Sequence, residues 1–252
     1  MRLAALALSL ATLPMLAGQP LSYSDGATKL AGYVAQPAGA KGKVPGVVVI
    51  HQWMGLTDHE RKVSDDLAKL GYVALAADIY GENVRPKNTQ EAITQITLYK
   101  GDRGLYQRRV RAGLDALKAQ AGVDPNRLAV IGFCFGGTGA LEAARAGMPV
   151  KGVVSFHGGL DSPADRAVQP IAAKILVCHG ADDPNVPAKD VTAFQEEMRK
   201  AKADYVFIAY AGAVHAFTQK EAGNDPSKGV AYQETAARRS WQHMRDFFKE
   251  IF

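Results

Sequence analysis

Cysteine is scarce in this chain, with two in 252 residues, Cys134 and Cys178. A pair could close one disulfide in an oxidising compartment. Both cysteines lie at the ends of apparent strands, and Cys134 sits in a turn, so no pairing is expected. Low-complexity segments and internal repeats are absent. Basic runs are absent too, apart from "QRRVR" at 107–111, whose pattern fits the solvated face of an amphipathic helix. Nucleic acid is therefore not an expected partner. Neither a G-x-G-x-x-G fingerprint nor a phosphate-binding P-loop occurs, and no nucleotide cofactor is expected. Apolar runs long enough to span a membrane are missing after the first twenty residues.

What remains is an ordinary globular composition, 47% hydrophobic and 22% charged, with a net charge of +5. The length suits one large α/β domain with a well-buried core. The chain opens "MRLAALALSLATLPMLAGQP". One arginine, an apolar run of about 14 residues and small residues near Ala17 and Gly18 have the layout of a secretory leader. Residues 1–18 are thus expected to be removed, leaving a domain over 19–252 that acts outside the cytoplasm, periplasmic or secreted, as a monomer free of the membrane.

The hydrophobic pattern predicts a hairpin around Asp25-Gly26, then alternating strands and helices. "VPGVVVIH", "YVALAAD", "RLAVIG", "KGVVSFHG", "AKILVCHG" and "ADYVFIAY" read as strands, the first three as runs buried on both faces. Helical patterns follow Thr57 or Asp58, span about 88–100 and 104–120, start again near Gly137, run through "AKDVTAFQEEMRKA", and close the chain from Val230. The fold class is α/β: a mostly parallel sheet with helices on both faces and an N-terminal antiparallel hairpin. Sites in such sheets lie at the carboxyl ends of the strands.

One strand–turn–helix junction reads "GFCFGG", residues 132–137. Glycines there allow a sharp turn that lifts Cys134 above the sheet, at a helix N-terminus whose partial positive charge favours a thiolate. The backbone N–H of Phe135 would then face a substrate oxygen. Asp183, in "HGADDPNVP", and His215, in "AGAVHAFT", each follow a later strand. The order nucleophile, acid, histidine permits a triad in which His215 activates Cys134 and Asp183 orients His215. Asp182 competes with Asp183 for that role, or caps the turn. His51, His157 and His179 lie at strand ends, but their spacing suits no metal, and they are expected to line the pocket or bond to backbone. Trp53 and Met54 fall at the expected pocket mouth.

"GFCFGG", "HGADDPNVP", "VHAF" and the strand-turn "HQWMG" together resemble the dienelactone hydrolase family of α/β-hydrolases, from about residue 22 to the end. The resemblance implies hydrolysis of small esters and lactones through Cys134, Asp183 and His215, by way of a thioester acyl-enzyme and without a cofactor. It implies an oxyanion hole formed by the N–H groups of Trp53 and Phe135. Two positions depart from the family. Gln52 stands where a glutamate is expected, and Gln219 replaces the arginine that binds the substrate carboxylate. Arg85 or Arg103 would have to supply that charge. With Gln52 in place of the glutamate, Cys134 is expected to pair with His215 as a resting thiolate. His51 points to the opposite face and should not act as the missing base. Two other functions stay open: a ligand-binding relative without activity, and a thiol redox protein in which Cys178 resolves Cys134.

Overall fold

A computed structural model describes residues 18–252. The expected leader therefore falls, but for Gly18, outside the described residues. β1 (Gln19–Asp25) and β2 (Thr28–Ala35) form the antiparallel hairpin. β3 (Val44–Ile50), β4 (Val73–Ala77), β5 (Val123–Phe133), β6 (Gly152–Phe156), β7 (Lys174–Gly180) and β8 (Tyr205–Tyr210) join it in one sheet. The strand order is β1-β2-β4-β3-β5-β6-β7-β8, parallel from β4 onward. The helices are α1 (Asp58–Lys69), α2 (Thr89–Gly101), α3 (Arg103–Lys118), α4 (Phe135–Arg145), α5 (Ala188–Lys200) and α6 (Glu234–Ile251).

Alternation along the strands splits the core in two. Val47 and Val49 of β3 pack with Val63 and Leu67 of α1 and with Met244 and Phe248 of α6. Val48 and Ile50 point the other way, into a cluster that holds Leu114 and Leu117 of α3, Leu141 of α4 and Phe194 of α5. Successive strand residues face opposite sides, so a strand covered on both must be apolar throughout. Each fully buried Val or Leu contributes about 1.5–3 kcal/mol.

Three boundaries differ from the sequence expectation. α4 begins at Phe135 rather than near Gly137, because the glycines sit inside the first helical turn, where the backbone packs tightly, rather than before it. β5 starts at Val123, and a register shift between Val44 and Gly46 absorbs the extra length. α6 starts at Glu234, capped by the Gln233 side chain. Residues 229–231 instead pair with the backbone of His215, through His215 N–H to Gly229 O and Ala231 N–H to His215 O, both 3.1 Å. No helix among the described residues is long and apolar enough to cross a membrane.

Candidate active site

Cys134 sits between β5 and α4 with φ 54° and ψ −117°, a backbone conformation that L-residues rarely adopt. The turn can be this sharp only because its neighbours lack side chains. A Cβ on Gly132 would lie 2.0 Å from Gly136 O, and one on Gly136 would lie 2.2 Å from Ile50 O. The N-terminus of α4 is thereby pressed against the end of β3, with the thiol above both. Cys134 N–H donates to Phe156 O at 3.0 Å, tying the turn to β6.

The acid and the histidine arrive from the ends of β7 and β8. His215 Nε2 lies 3.0 Å from Cys134 Sγ, and His215 Nδ1 donates to Asp183 Oδ2 at 2.8 Å. Asp183 is 6% exposed, and its other oxygen accepts from Asn185 N–H at 2.9 Å. Burial opposes a charge on His215, but the bonds to Asp183 and Cys134 and their negative charge outweigh it and raise the imidazole to about 10. Asp182 is the residue that braces the loop, accepting from Gly212 N–H at 3.0 Å.

The turn after β3 borders the thiol. Gln52, Trp53, Cys134, Phe135, His215 and Gln219 line a cavity of about 550 Å³, together with Ile96, Lys100, Thr138, Asn185 and Val186. Gln52 and Gln219 are therefore where the sequence places them. Met54 is not part of the lining. None of His51, His157 and His179 lines the cavity either. His157, with its Nε2 2.8 Å from Thr218 Oγ1, packs edge-on against His215 at 5.3 Å between ring centres. Burial and the neighbouring His215 push its imidazole well below the usual range, so it stays neutral. Among the described residues no group of three His, Cys, Asp or Glu side chains could hold a metal.

The two arginines are corrections. Arg85 is held away from the cavity by Asp78 at 3.1 Å and by the carbonyls of Gly81 and Val84. Arg103 is buried, does not line the cavity, and is bound to Asp161 at 2.6 Å. Lys100 is the cation that reaches the lining, with Nζ 2.8 Å from Asp161. No sequence signal marked it, since it is the last-turn lysine of an ordinary helix.

Glu60 is a further residue that sequence reasoning missed. Its fully buried carboxylate accepts from Thr57 N–H and hydroxyl at 2.9 and 2.8 Å, and from the backbone and side-chain amides of Gln52 at 3.4 Å. A carboxylate thus does stand near Gln52, with the amide between it and the cavity. The Thr57-x-x-Glu60 spacing is a helix capping box, which signals the cap and not the contact to Gln52. Cys178 is fully buried beneath Tyr210, whose hydroxyl reaches its sulfur at 3.5 Å, and burial pushes the thiol up to about 12.

A strained elbow residue, with histidine and acid delivered from later strand ends of this sheet order, defines an α/β-hydrolase. Within that class the chain belongs to the dienelactone hydrolase family, whose model matches residues 30–252. It is similar to a Bradyrhizobium sp. protein named probable 2-oxo-3-(5-oxofuran-2-ylidene)propanoate lactonase, 33% identical over 87% of this chain and 88% of that one. Among solved structures it is similar to a dienelactone hydrolase-like promiscuous phosphotriesterase from metagenomic libraries, 41% identical with a TM-score of 0.87, over 93% of this chain and 98% of that one. A structure named m3DLH is 40% identical with a TM-score of 0.89 over the same shares. The chain is accordingly a hydrolase of ester and lactone bonds.

Proposed function

We propose that the chain cleaves small esters or lactones through a thioester on Cys134. The observation that carries this is the single line of contacts Cys134–His215–Asp183 at 3.0 and 2.8 Å, beginning at a strained elbow. Cys134 Sγ attacks the carbonyl carbon, whose oxygen takes up negative charge beside the N–H groups of Trp53 and Phe135. The carbon–oxygen bond to the alkoxide then breaks, and His215 Nε2 gives that oxygen its proton. Water attacks the thioester with His215 as base, the acid departs, and the sulfur returns to its pairing with the imidazolium. Asp183 keeps the Nδ1 proton in place throughout.

The cavity suits a small acyl compound. Lys100 is its lining cation besides the His215 imidazolium, and Gln219 offers an amide where the family resemblance implies an arginine. The likeness to a promiscuous phosphotriesterase adds a phosphotriester to the substrates worth testing. The test compares wild type with Cys134→Ala on p-nitrophenyl acetate, a lactone panel, a dialkyl aryl phosphotriester, and peroxide with added thiol. The variant should lose about 10³-fold or more in kcat/KM for esters with an unchanged melting temperature. Ester hydrolysis by folded Cys134→Ala at the wild-type rate would refute the reading. Peroxide turnover without ester turnover would replace it with the redox one.

A further inference from the structure

We infer that His51 is the positioning residue of the oxyanion hole; this rests on the acyl-transfer reading above. One peptide plane links His51 to the hole. Gln52 C=O and Trp53 N–H belong to the same amide, and no described peptide bond is cis. In a trans amide the carbonyl and the N–H point in opposite directions. Whatever holds the carbonyl therefore aims the hydrogen.

That carbonyl is held twice. His51 Nδ1 donates to Gln52 O at 2.6 Å, and Gly55 N–H donates to it at 3.2 Å. The imidazole is fully buried, stacked on Phe135 at 5.9 Å and edge-on to Tyr80 at 4.5 Å. The carbonyl thus points into the protein and the Trp53 N–H away from it, on the side of the cavity that Trp53 lines. Among the described residues that N–H has no protein partner.

The ring itself cannot turn. Ile79 N–H donates to its Nε2 at 3.1 Å, which fixes the neutral tautomer with hydrogen on Nδ1. Burial lowers the imidazole from its ordinary range, in keeping with that neutral form. The next amide is clamped from the same segment, for Tyr80 hydroxyl donates to Trp53 O at 2.9 Å. The segment that follows β4 therefore holds two successive peptides of the turn after β3, one through His51 and one through Tyr80. Accepting two hydrogen bonds also polarises the Gln52–Trp53 amide and strengthens its N–H as a donor. On the other side of the hole, Phe135 N–H is the first of α4, whose backbone is pressed onto Ile50 O and His51 O. His51 contacts neither substrate nor sulfur in this scheme; it acts through Trp53.

The test uses His51→Phe and His51→Gln. Phenylalanine keeps the ring and its stacking but has no nitrogen. Glutamine has one donor and one acceptor at its tip, enough for Gln52 O and Ile79 N–H. Three readouts separate aim from mere packing: kcat and KM on p-nitrophenyl acetate, the rate of Cys134 alkylation by iodoacetamide, and the melting temperature. Alkylation is a displacement at a saturated carbon and forms no oxyanion. His51→Phe should lower kcat about 10²-fold with KM little changed, as loss of one oxyanion donor does. Its alkylation rate should stay within about twofold of wild type, and His51→Gln should recover most of the lost kcat. If His51→Phe does not fold, His51→Met replaces it, since that side chain fills the space without an N–H donor for Gln52 O and should show the same kcat loss. Wild-type kcat in a folded nitrogen-free variant, alkylation falling in step with kcat, or a Gln variant as impaired as Phe would each overturn the inference. Failure of the acyl-transfer reading would look different, because Cys134→Ala would then remain active.

Discussion

Gly136→Ala tests the geometry of the elbow more sharply than any change to the triad. Inside an exposed helix, replacing glycine by alanine stabilises by about 0.5–1 kcal/mol, because the unfolded chain has less freedom to lose. Here the new methyl would sit 2.2 Å from Ile50 O and 2.7 Å from His51 O, both backbone atoms that cannot swing aside. Reaching ordinary contact demands that α4 retreat from β3 by about 1 Å, and a displacement of that size at reacting groups costs about 10²-fold in rate. The overpacking itself should cost about 1–3 kcal/mol of stability, the opposite sign to the helix-propensity effect. Moving α4 carries Phe135 N–H away from Trp53 N–H while leaving His215 and Asp183 on their own loops. We therefore expect kcat on p-nitrophenyl acetate to fall about 10²-fold, the urea midpoint to drop, and the protein to remain folded. A Gly136→Ala variant that is more stable than wild type, or equally active, would show that the close approach of α4 to β3 does not build the hole.

Two further changes probe the buried carboxylates. Gln52→Glu exchanges an amide for a carboxylate 3.4 Å from Glu60 Oε1 in a buried site; carboxylates this close share a proton, and the introduced group becomes a base beside the thiol. Alkylation by iodoacetamide at pH 7 should slow several-fold, and an unchanged rate between pH 6 and 9 would contradict that account. Glu142, fully buried, accepts from Gln107, Arg145 and Arg166 at 2.8 to 3.2 Å and faces Arg103 at 3.7 Å. Glu142→Ala should destabilise by about 3–5 kcal/mol in urea, because it strands buried guanidinium groups. Burial opposes the charge on Glu142, yet the arginines hold its carboxyl below the ordinary range. Its contribution is thus full above the unfolded pKa of about 4.3 and fades as pH falls through the lower folded value. A wild-type-minus-variant difference that grows towards acid would refute this.

The sheet was legible because strands covered on both faces must be apolar along their whole length, and Val47–Ile50 and Val73–Ala77 are. The candidate triad was legible because chain order and strand ends restrict where nucleophile, acid and histidine can meet, and Cys134, Asp183 and His215 do lie in bonding distance. The start of α4 was misplaced because a glycine in sequence reads as a turn, whereas Gly136 is there for lack of space, and space is set by β3, about 85 residues earlier in the chain. Arg85 and Arg103 were misassigned for a related reason. A positive charge in a loop or helix is visible in the sequence, but Asp78 and Asp161, which turn those charges inward, are chosen only when distant segments pack. The same holds for His51. Alternation along β3 would turn its ring to the face opposite Ile50, but the strand ends at Ile50 and the ring packs on Tyr80 and Phe135, in the cluster that holds Ile50. The two partners that give it a task, Gln52 O and Ile79 N–H, come together only when β3 and β4 lie side by side. Local pattern determines which residues share a face; which polar atoms meet across that face is decided by the tertiary structure, where every buried donor must find its acceptor.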